Sequence, residues 1–267
     1  MKIDHDFTAP SDSQTPFVHP ERPAARFRPL KALHHFRELI KDKEDTEQVF
    51  HIFECLPRPS FRKDAKAFVE SDAGKALLAN EPALQHILDD HDRLRQMPEG
   101  SLAHAYCDFM EKEGLSAAGL IAEYDQFSPR KYNDLIEWYG FRQRDTHDLL
   151  HILTGYGRDA LGEQCVLAFT YGQNPALGNL FIAYAGGLNM KMQVKSKAPV
   201  FKAIRQAQKM GKACPRISEE SIIDLLAQPL DELRERLHIK TPHFYHQAHE
   251  QYRAEDVDPY AMLVQPA

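Results

Sequence analysis

The chain has 267 residues, 43% hydrophobic and 27% charged, with a formal net charge of −6. That length can bury a substantial core, and the acidic balance gives no reason to expect nucleic acid as a partner. Cys55, Cys107, Cys165 and Cys214 lie far apart without a C-x-x-C pair, so they read as reduced thiols and exclude a structural cysteine–zinc cluster.

In chain order, Met1 to Pro10 carries Asp4 and Asp6 and no apolar core, which reads as neither a secretory signal nor a transit peptide. Prolines at 10, 16, 20, 23 and 29 predict an extended or disordered arm over 1–29. A helical pattern follows from Leu30 to Leu56, with Leu33, Phe36, Leu39 and Ile40 on one face, ended by Pro57-Arg58-Pro59. Helices are predicted over Asp64–Ala79, Pro82–Gln96 and Ser101–Lys112, the last capped by Ser101 and stopped by Gly114. Asn133 to Leu153 reads as one helix, with Leu135, Trp138, Leu149 and Ile152 for packing.

Asp159 is placed to cap the helix that carries Glu163. The apolar run Leu177–Leu188 reads as a buried helix or the wall of an apolar pocket. Val166 to Leu188 is broken by Gln173, Asn174, Pro175 and Asn179, and so does not read as a membrane span. Later helices are expected over Val200–Met210 and Glu219–Leu237, the second broken at Pro229. Strand-like alternation is rare, and the fold expected is all-α: a single multi-helix domain over 30–240 with the arm before it and an extension over 241–267.

The chemistry concentrates in Arg142-Gln143-Arg144-Asp145-Thr146-His147-Asp148-Leu149-Leu150-His151, then Gly155-Tyr156-Gly157-Arg158 and Glu163. At helical pitch His147 and His151 share a stripe, and Asp148 stands about 100° round from His147. Glu163 would be about 18 Å beyond His151 on a straight helix, so it joins them only if the chain reverses at the glycines. Two imidazoles and two carboxylates meeting in this way read as a site for a divalent metal. Zinc suits these donors where one position stays open; ferrous iron and manganese suit them too. In H-E-x-x-H peptidases the glutamate activates water rather than ligating, and Asp148 here is one methylene shorter. A His-Asp phosphohydrolase would need a further His and Asp, and nothing in the setting of His104 marks it as that partner.

Arg144, four residues before Asp148, is placed to hold that carboxylate, to bind the acid of a substrate, or to form an ordinary surface ion pair. Eight basic residues and no acid occur between Lys191 and Arg216, a segment suited to anionic lipid or phosphate or to a solvated helix face. His243, His246 and His249 drift round a helix by about 60° per step, which suits a surface helix better than a second metal site.

His147-Asp148-x-x-His151, eleven residues, then Glu163 resembles the signature of the coenzyme Q (ubiquinone) biosynthesis protein four family. Met97-Pro98-Glu99-Gly100-Ser101-Leu102-Ala103-His104-Ala105-Tyr106, with Phe109-Met110, is similar to an upstream segment of that family. Gln228-Pro229-Leu230-Asp231-Glu232-Leu233-Arg234, with Leu237-His238-Ile239, is similar to its closing segment. The resemblance implies a helical fold and a divalent metal, usually zinc, on His147, Asp148, His151 and Glu163. It implies a groove for a polyprenylated aromatic or isoprenoid lipid, other quinone-biosynthesis proteins as partners, a membrane surface and a homodimer. Two activities are associated with the family: removal of a carboxylate with hydroxylation at C1 of a polyprenylated hydroxybenzoate, and lipid binding that organises the other enzymes. A cytoplasmic protein peripheral on the inner face of the membrane is expected. Leu150, where many relatives carry an aromatic, implies a roomier pocket beside the metal, and the tail from Thr241 runs past the family's usual end.

Overall fold

Helices account for the regular elements among the described residues. The computed structural model describes residues 15–42, 45–128 and 130–262; among these no strand forms, and one isolated antiparallel bridge pairs Ser101 with Pro229. The helices are α1 (Pro29–Lys41), α2 (Thr46–Cys55), α3 (Phe61–Glu70), α4 (Asp72–Asn80), α5 (Leu84–Leu88), α6 (His91–Leu94), α7 (Leu102–Glu113) and α8 (Ala117–Phe127). They continue with α9 (Leu135–Asp145), α10 (His147–Thr154), α11 (Ala160–Gln173), α12 (Leu177–Gln193), α13 (Val200–Ala213), α14 (Ile222–Leu226), α15 (Leu230–Arg236) and α16 (His243–Ala254).

Several predicted helices are divided. The Leu30–Leu56 pattern is two helices, and Leu33 is partly solvent-exposed while Ala32, His35, Phe36 and Leu39 are buried. The Lys41–Asp45 region offers no apolar side chain to carry a helix face across. Ser71 ends α3 and accepts from the Gly74 amide to begin α4, and Asp90 does the same for Arg93 in α6. Both residues satisfy amides at a new helix start, which propensity over a longer window does not reveal. Ser101 caps α7 and Gly114, at φ 66°, closes it as expected.

Two compact units can be described, each by itself. The first comprises Met1–Ala24, Pro59–Asp148 and Ile217–Leu230. In it Phe68 stacks on Trp138 at 6.1 Å, with Ala65, Val69, Leu77 and Tyr139 around them. Arg142 is buried and donates twice to Glu81 Oε2 at 3.0 Å, and to the carbonyls of Ser218 and Glu220 at 2.9 Å. Glu81 in turn accepts from the Ile222 and Ile223 amides at the start of α14, so the buried charges are both paired and hydrogen-bonded. The described part of the arm forms no helix and turns at His19–Arg22, and its Pro16 and Phe17 carbonyls accept from the Leu135 and Ile136 amides at the open end of α9. Arg22 joins Asp134 and Glu137 there.

The second unit comprises Ala25–Arg58, Leu149–Arg216 and Asp231–Ala267. Its α11 packs along α13 and against α12, while α1, α2 and α12 enclose Ala32, Phe36, Leu39, Ile52, Cys55, Leu56 and Ile182. The chain beyond 241, expected as an extension, contributes α16, which buries Tyr245, Ala248 and Tyr252 and packs on α13. No described helix is long and apolar enough to cross a membrane.

Candidate metal centre

The motif does not lie on one helix. α9 ends at Asp145, and Thr146 separates it from α10. The Thr146 hydroxyl donates to the Arg142 carbonyl at 2.9 Å and approaches the Gln143 carbonyl at 3.3 Å. A threonine that turns back on its own helix in this way competes with the ladder and bends it. α10 therefore starts at His147 and presents His147 and His151 one turn apart.

Gly155, at φ 73°, ends α10. Asp159 then accepts from the Leu161 and Gly162 amides and starts α11, as expected from the sequence, with Glu163 in its first turn. The reversal needs glycine at two positions. A Cβ on Gly162 would stand 1.9 Å from the Gly157 carbonyl oxygen, and one on Gly157 would stand 2.9 Å from the Tyr245 hydroxyl.

One ligand atom from each of His147, His151 and Glu163 falls within 4.8 Å of the others. His151 is buried; its Nδ1 is 3.0 Å from the Tyr156 carbonyl, which can only accept, so Nδ1 carries the proton. In the neutral ring the lone pair is thereby placed on Nε2, which lies 3.6 Å from Glu163 Oε2. Tetrahedral N and O ligands about 2.0–2.2 Å from a zinc ion stand about 3.3–3.6 Å apart. The His151–Glu163 separation fits that spacing, and a backbone-anchored Nδ1 is the usual way a ligating imidazole is oriented. The residues present thus fit a divalent ion.

Two predicted site residues are not in this group. Asp148, on the next position of α10, does not bring a carboxylate oxygen within the 4.8 Å cluster. Its charge instead adds to burial in pushing the Tyr106 phenol well above the ordinary range. Arg144 does not hold Asp148: its Nε donates to Asp145 Oδ1 at 2.6 Å, and its guanidinium lies over the Phe141 ring at 4.3 Å. The reason is the break at Thr146, which removes the i,i+4 relation on which an Arg144–Asp148 pair depends.

Sequence reasoning missed Arg158, whose Nε lies 3.7 Å from Glu163 Oε1. It was visible only as the residue after the Gly155-Tyr156-Gly157 turn. Tyr245 was missed as well: its hydroxyl donates to Asp159 Oδ2 and accepts from the Gly157 amide at 2.9 Å. Burial, then the Asp159 carboxylate, push this phenol far up, so it stays a proton donor. His104 donates to or accepts at no motif residue in view; its Nε2 meets the Arg95 carbonyl at 3.1 Å. Of the C-terminal histidines, His249 Nε2 stands 3.2 Å from Asp159 Oδ1.

An apolar recess of about 560 Å³ opens on the second unit, lined by Phe27, Leu56, Leu177, Leu180, Phe181 and Tyr184. Glycine at 186 lets the Gln164 side chain lie against the α12 backbone, placing α12 beside the neighbour of Glu163. The α12 side of the recess is formed by Leu177, Leu180, Phe181, Tyr184 and Ala185.

Fold and side chains define an all-α protein with a two-histidine, one-carboxylate group carried on consecutive helices. Residues 36–243 match the family model described as "Coenzyme Q (ubiquinone) biosynthesis protein Coq4", and the chain belongs to that family. It is 28% identical over 203 residues to the mitochondrial ubiquinone biosynthesis protein COQ4 of Lachancea thermotolerans, covering 74% of this chain and 59% of that protein. It is 28% identical over 171 residues to the Bos taurus homologue, covering 63% of this chain and 62% of that one. The matched region thus spans about three-fifths of these relatives. The crystal structure of a candidate ubiquinone biosynthesis protein from Nostoc punctiforme superposes with a TM-score of 0.55 at 18% identity, over 80% of this chain and 100% of that one. That likeness concerns the fold.

Proposed function

We propose that this protein acts in ubiquinone biosynthesis, removing the C1 carboxylate of a polyprenylated hydroxybenzoate-type intermediate as carbon dioxide. Water supplies the hydroxyl at that carbon, while dioxygen takes up the two electrons and leaves as hydrogen peroxide. The observation that carries this reading is His151, locked by Tyr156 with Nε2 toward Glu163, beside His147. These three residues would hold a divalent ion, zinc by donor set, with Asp148 as the nearest further carboxylate on α10. When bound, the ion supplies Lewis-acid stabilisation of negative charge on the substrate head group.

The chain's own groups account for binding and orientation. Arg158, beside Glu163, offers a guanidinium to the substrate's acid in place of Arg144. The recess along α12 receives the prenyl tail, where each buried CH₂ contributes about 0.8 kcal/mol. Access is from a membrane surface, for which Lys202, Arg205, Lys209 and Lys212 on one exposed face of α13 are suited. Other quinone-biosynthesis proteins would supply the substrate and take the product.

The test is purified protein with measured metal content, incubated under air with carboxyl-labelled prenyl-hydroxybenzoate. Label should leave as carbon dioxide, and His151→Ala should reduce both release and bound metal at least tenfold with helical circular dichroism unchanged. Tight binding of unchanged substrate would overturn catalysis. It would support the second reading, a lipid-presenting scaffold, which the open apolar recess favours. Protein without metal or apolar ligand would overturn both.

A further inference from the structure

The peptide joining Tyr156 to Gly157 is held on both sides. Its carbonyl oxygen accepts from His151 Nδ1 at 3.0 Å, and its N–H donates to the Tyr245 hydroxyl at 2.9 Å. That hydroxyl donates in turn to Asp159 Oδ2. The carboxylate divides its work: Oδ1 caps α11 through the Leu161 and Gly162 amides, leaving Oδ2 to Tyr245. The rings of Tyr156 and Tyr245 also meet edge to face, with centroids 5.2 Å apart.

These bonds point one way. An anionic acceptor on the Tyr245 O–H makes its oxygen a better acceptor for the Gly157 N–H. Polarising that amide makes the Tyr156 carbonyl a better acceptor for His151 Nδ1–H, which leaves Nε2 more electron-rich. Because a peptide is planar, fixing its N–H also fixes the direction of its C=O.

Resting on the reading of His147, His151 and Glu163 as metal ligands, we propose that Asp159, Tyr245 and the Tyr156–Gly157 peptide form a hydrogen-bonded relay that orients His151 and raises its basicity toward the ion. Tyr245 is thus a positioning residue of the centre. It is carried on α16, a helix that lies almost wholly past the end of the family match at 243. The same C-terminal stretch brings the Pro259 carbonyl to the Ala160 amide, so the tail covers the α10–α11 reversal at two points.

Tyr245→Phe keeps the ring against Tyr156 and removes only the hydroxyl. The control is Tyr139→Phe, which removes a tyrosine hydroxyl donating to Glu219 at 2.7 Å away from this relay. In the full-length chain, chelator competition should show zinc affinity falling about tenfold or more in Tyr245→Phe and unchanged in Tyr139→Phe. Long-range ¹H–¹⁵N spectra of the metal-free protein should show His151 leaving a single Nδ1–H tautomer for a mixture in Tyr245→Phe alone. Wild-type affinity and tautomer in Tyr245→Phe would overturn the relay, as would equal losses in Tyr139→Phe. If the wild-type chain takes up no zinc, the metal reading fails, and the tautomer comparison alone decides the relay.

Discussion

At the residue scale, the Arg144–Asp145 ion pair stands directly before the motif and gives stability a pH dependence, while the motif residues differ in how local their placement is. His147 and His151 were legible because one helical turn of spacing survives any bend outside α10. Glu163 was legible because the glycines and Asp159 announce a reversal. An Arg144–Asp148 pair, one of the readings open to Arg144, does not form because it depended on the helix running through Thr146, where the hydroxyl turns back on Arg142. The actual partner of Arg144, Asp145, is nearly fully buried, and burial pushes that carboxyl up while Arg144 pulls it down. A raised folded pKa means the native state holds the proton more tightly than the unfolded chain. Asp145 therefore favours folding most below the ordinary carboxylate range, and that contribution declines as pH rises through the folded value. Asp145→Asn removes the decline. Urea unfolding from pH 3.5 to 7 should show the variant gaining stability relative to wild type as pH rises; a gap that shrinks with pH would reverse the assigned sign.

At the element scale, helix existence was well foreshadowed and helix boundaries were not. Ser101, Gly114 and Asp159 act as the sequence implies because each side chain or φ angle meets a purely local need. Ser71 and Thr146 divide longer patterns because a hydroxyl competes with the ladder, which periodicity does not register. Helix pairing was hidden altogether. The α11–α13 contact is backbone on backbone: a Cβ on Gly211 would stand 2.0 Å from the Phe169 carbonyl oxygen. In sequence Gly211 is an unfavourable residue within a helix, and its use emerges only with its partner in place. Alanine there gains about 1 kcal/mol of helix propensity, whereas an overlap with backbone as close as this costs about 2–3 kcal/mol, the upper part of the overpacking range. Gly211→Ala should be destabilised by about 1–2 kcal/mol in urea unfolding; a variant as stable as wild type would mean that α13 moves away freely.

At the scale of the whole molecule, the all-α class follows from composition and helical periodicity. The two compact units do not, because each gathers three separate stretches of chain and no linker marks them. Charge is also arranged at this scale. The chain carries −6 overall, yet Lys191 to Arg216 holds eight basic residues and no acid. The structure sorts four of them: Lys202, Arg205, Lys209 and Lys212 are exposed and fall within an arc of about 80° on α13, while Ala203, Ile204, Ala207 and Met210 are buried on its other side. Nearby in sequence, Leu188, Met192 and Phe201 are exposed apolar side chains. On the proposed membrane role, this stripe faces anionic lipid, where each charge contributes about 1 kcal/mol. Changing Lys202, Arg205 and Lys209 together to Gln should then lower partition into phosphatidylglycerol-containing vesicles about a hundredfold, since about 3 kcal/mol is a little over two factors of ten. The wild-type protein should also dissociate as salt rises and the Debye length falls below about 8 Å. Metal content in the triple variant should stay at the wild-type level, because none of the three side chains belongs to the His147–His151–Glu163 group. Vesicle binding that survives both the substitutions and high salt would assign membrane contact to the apolar side chains and leave the stripe as a solvated helix face.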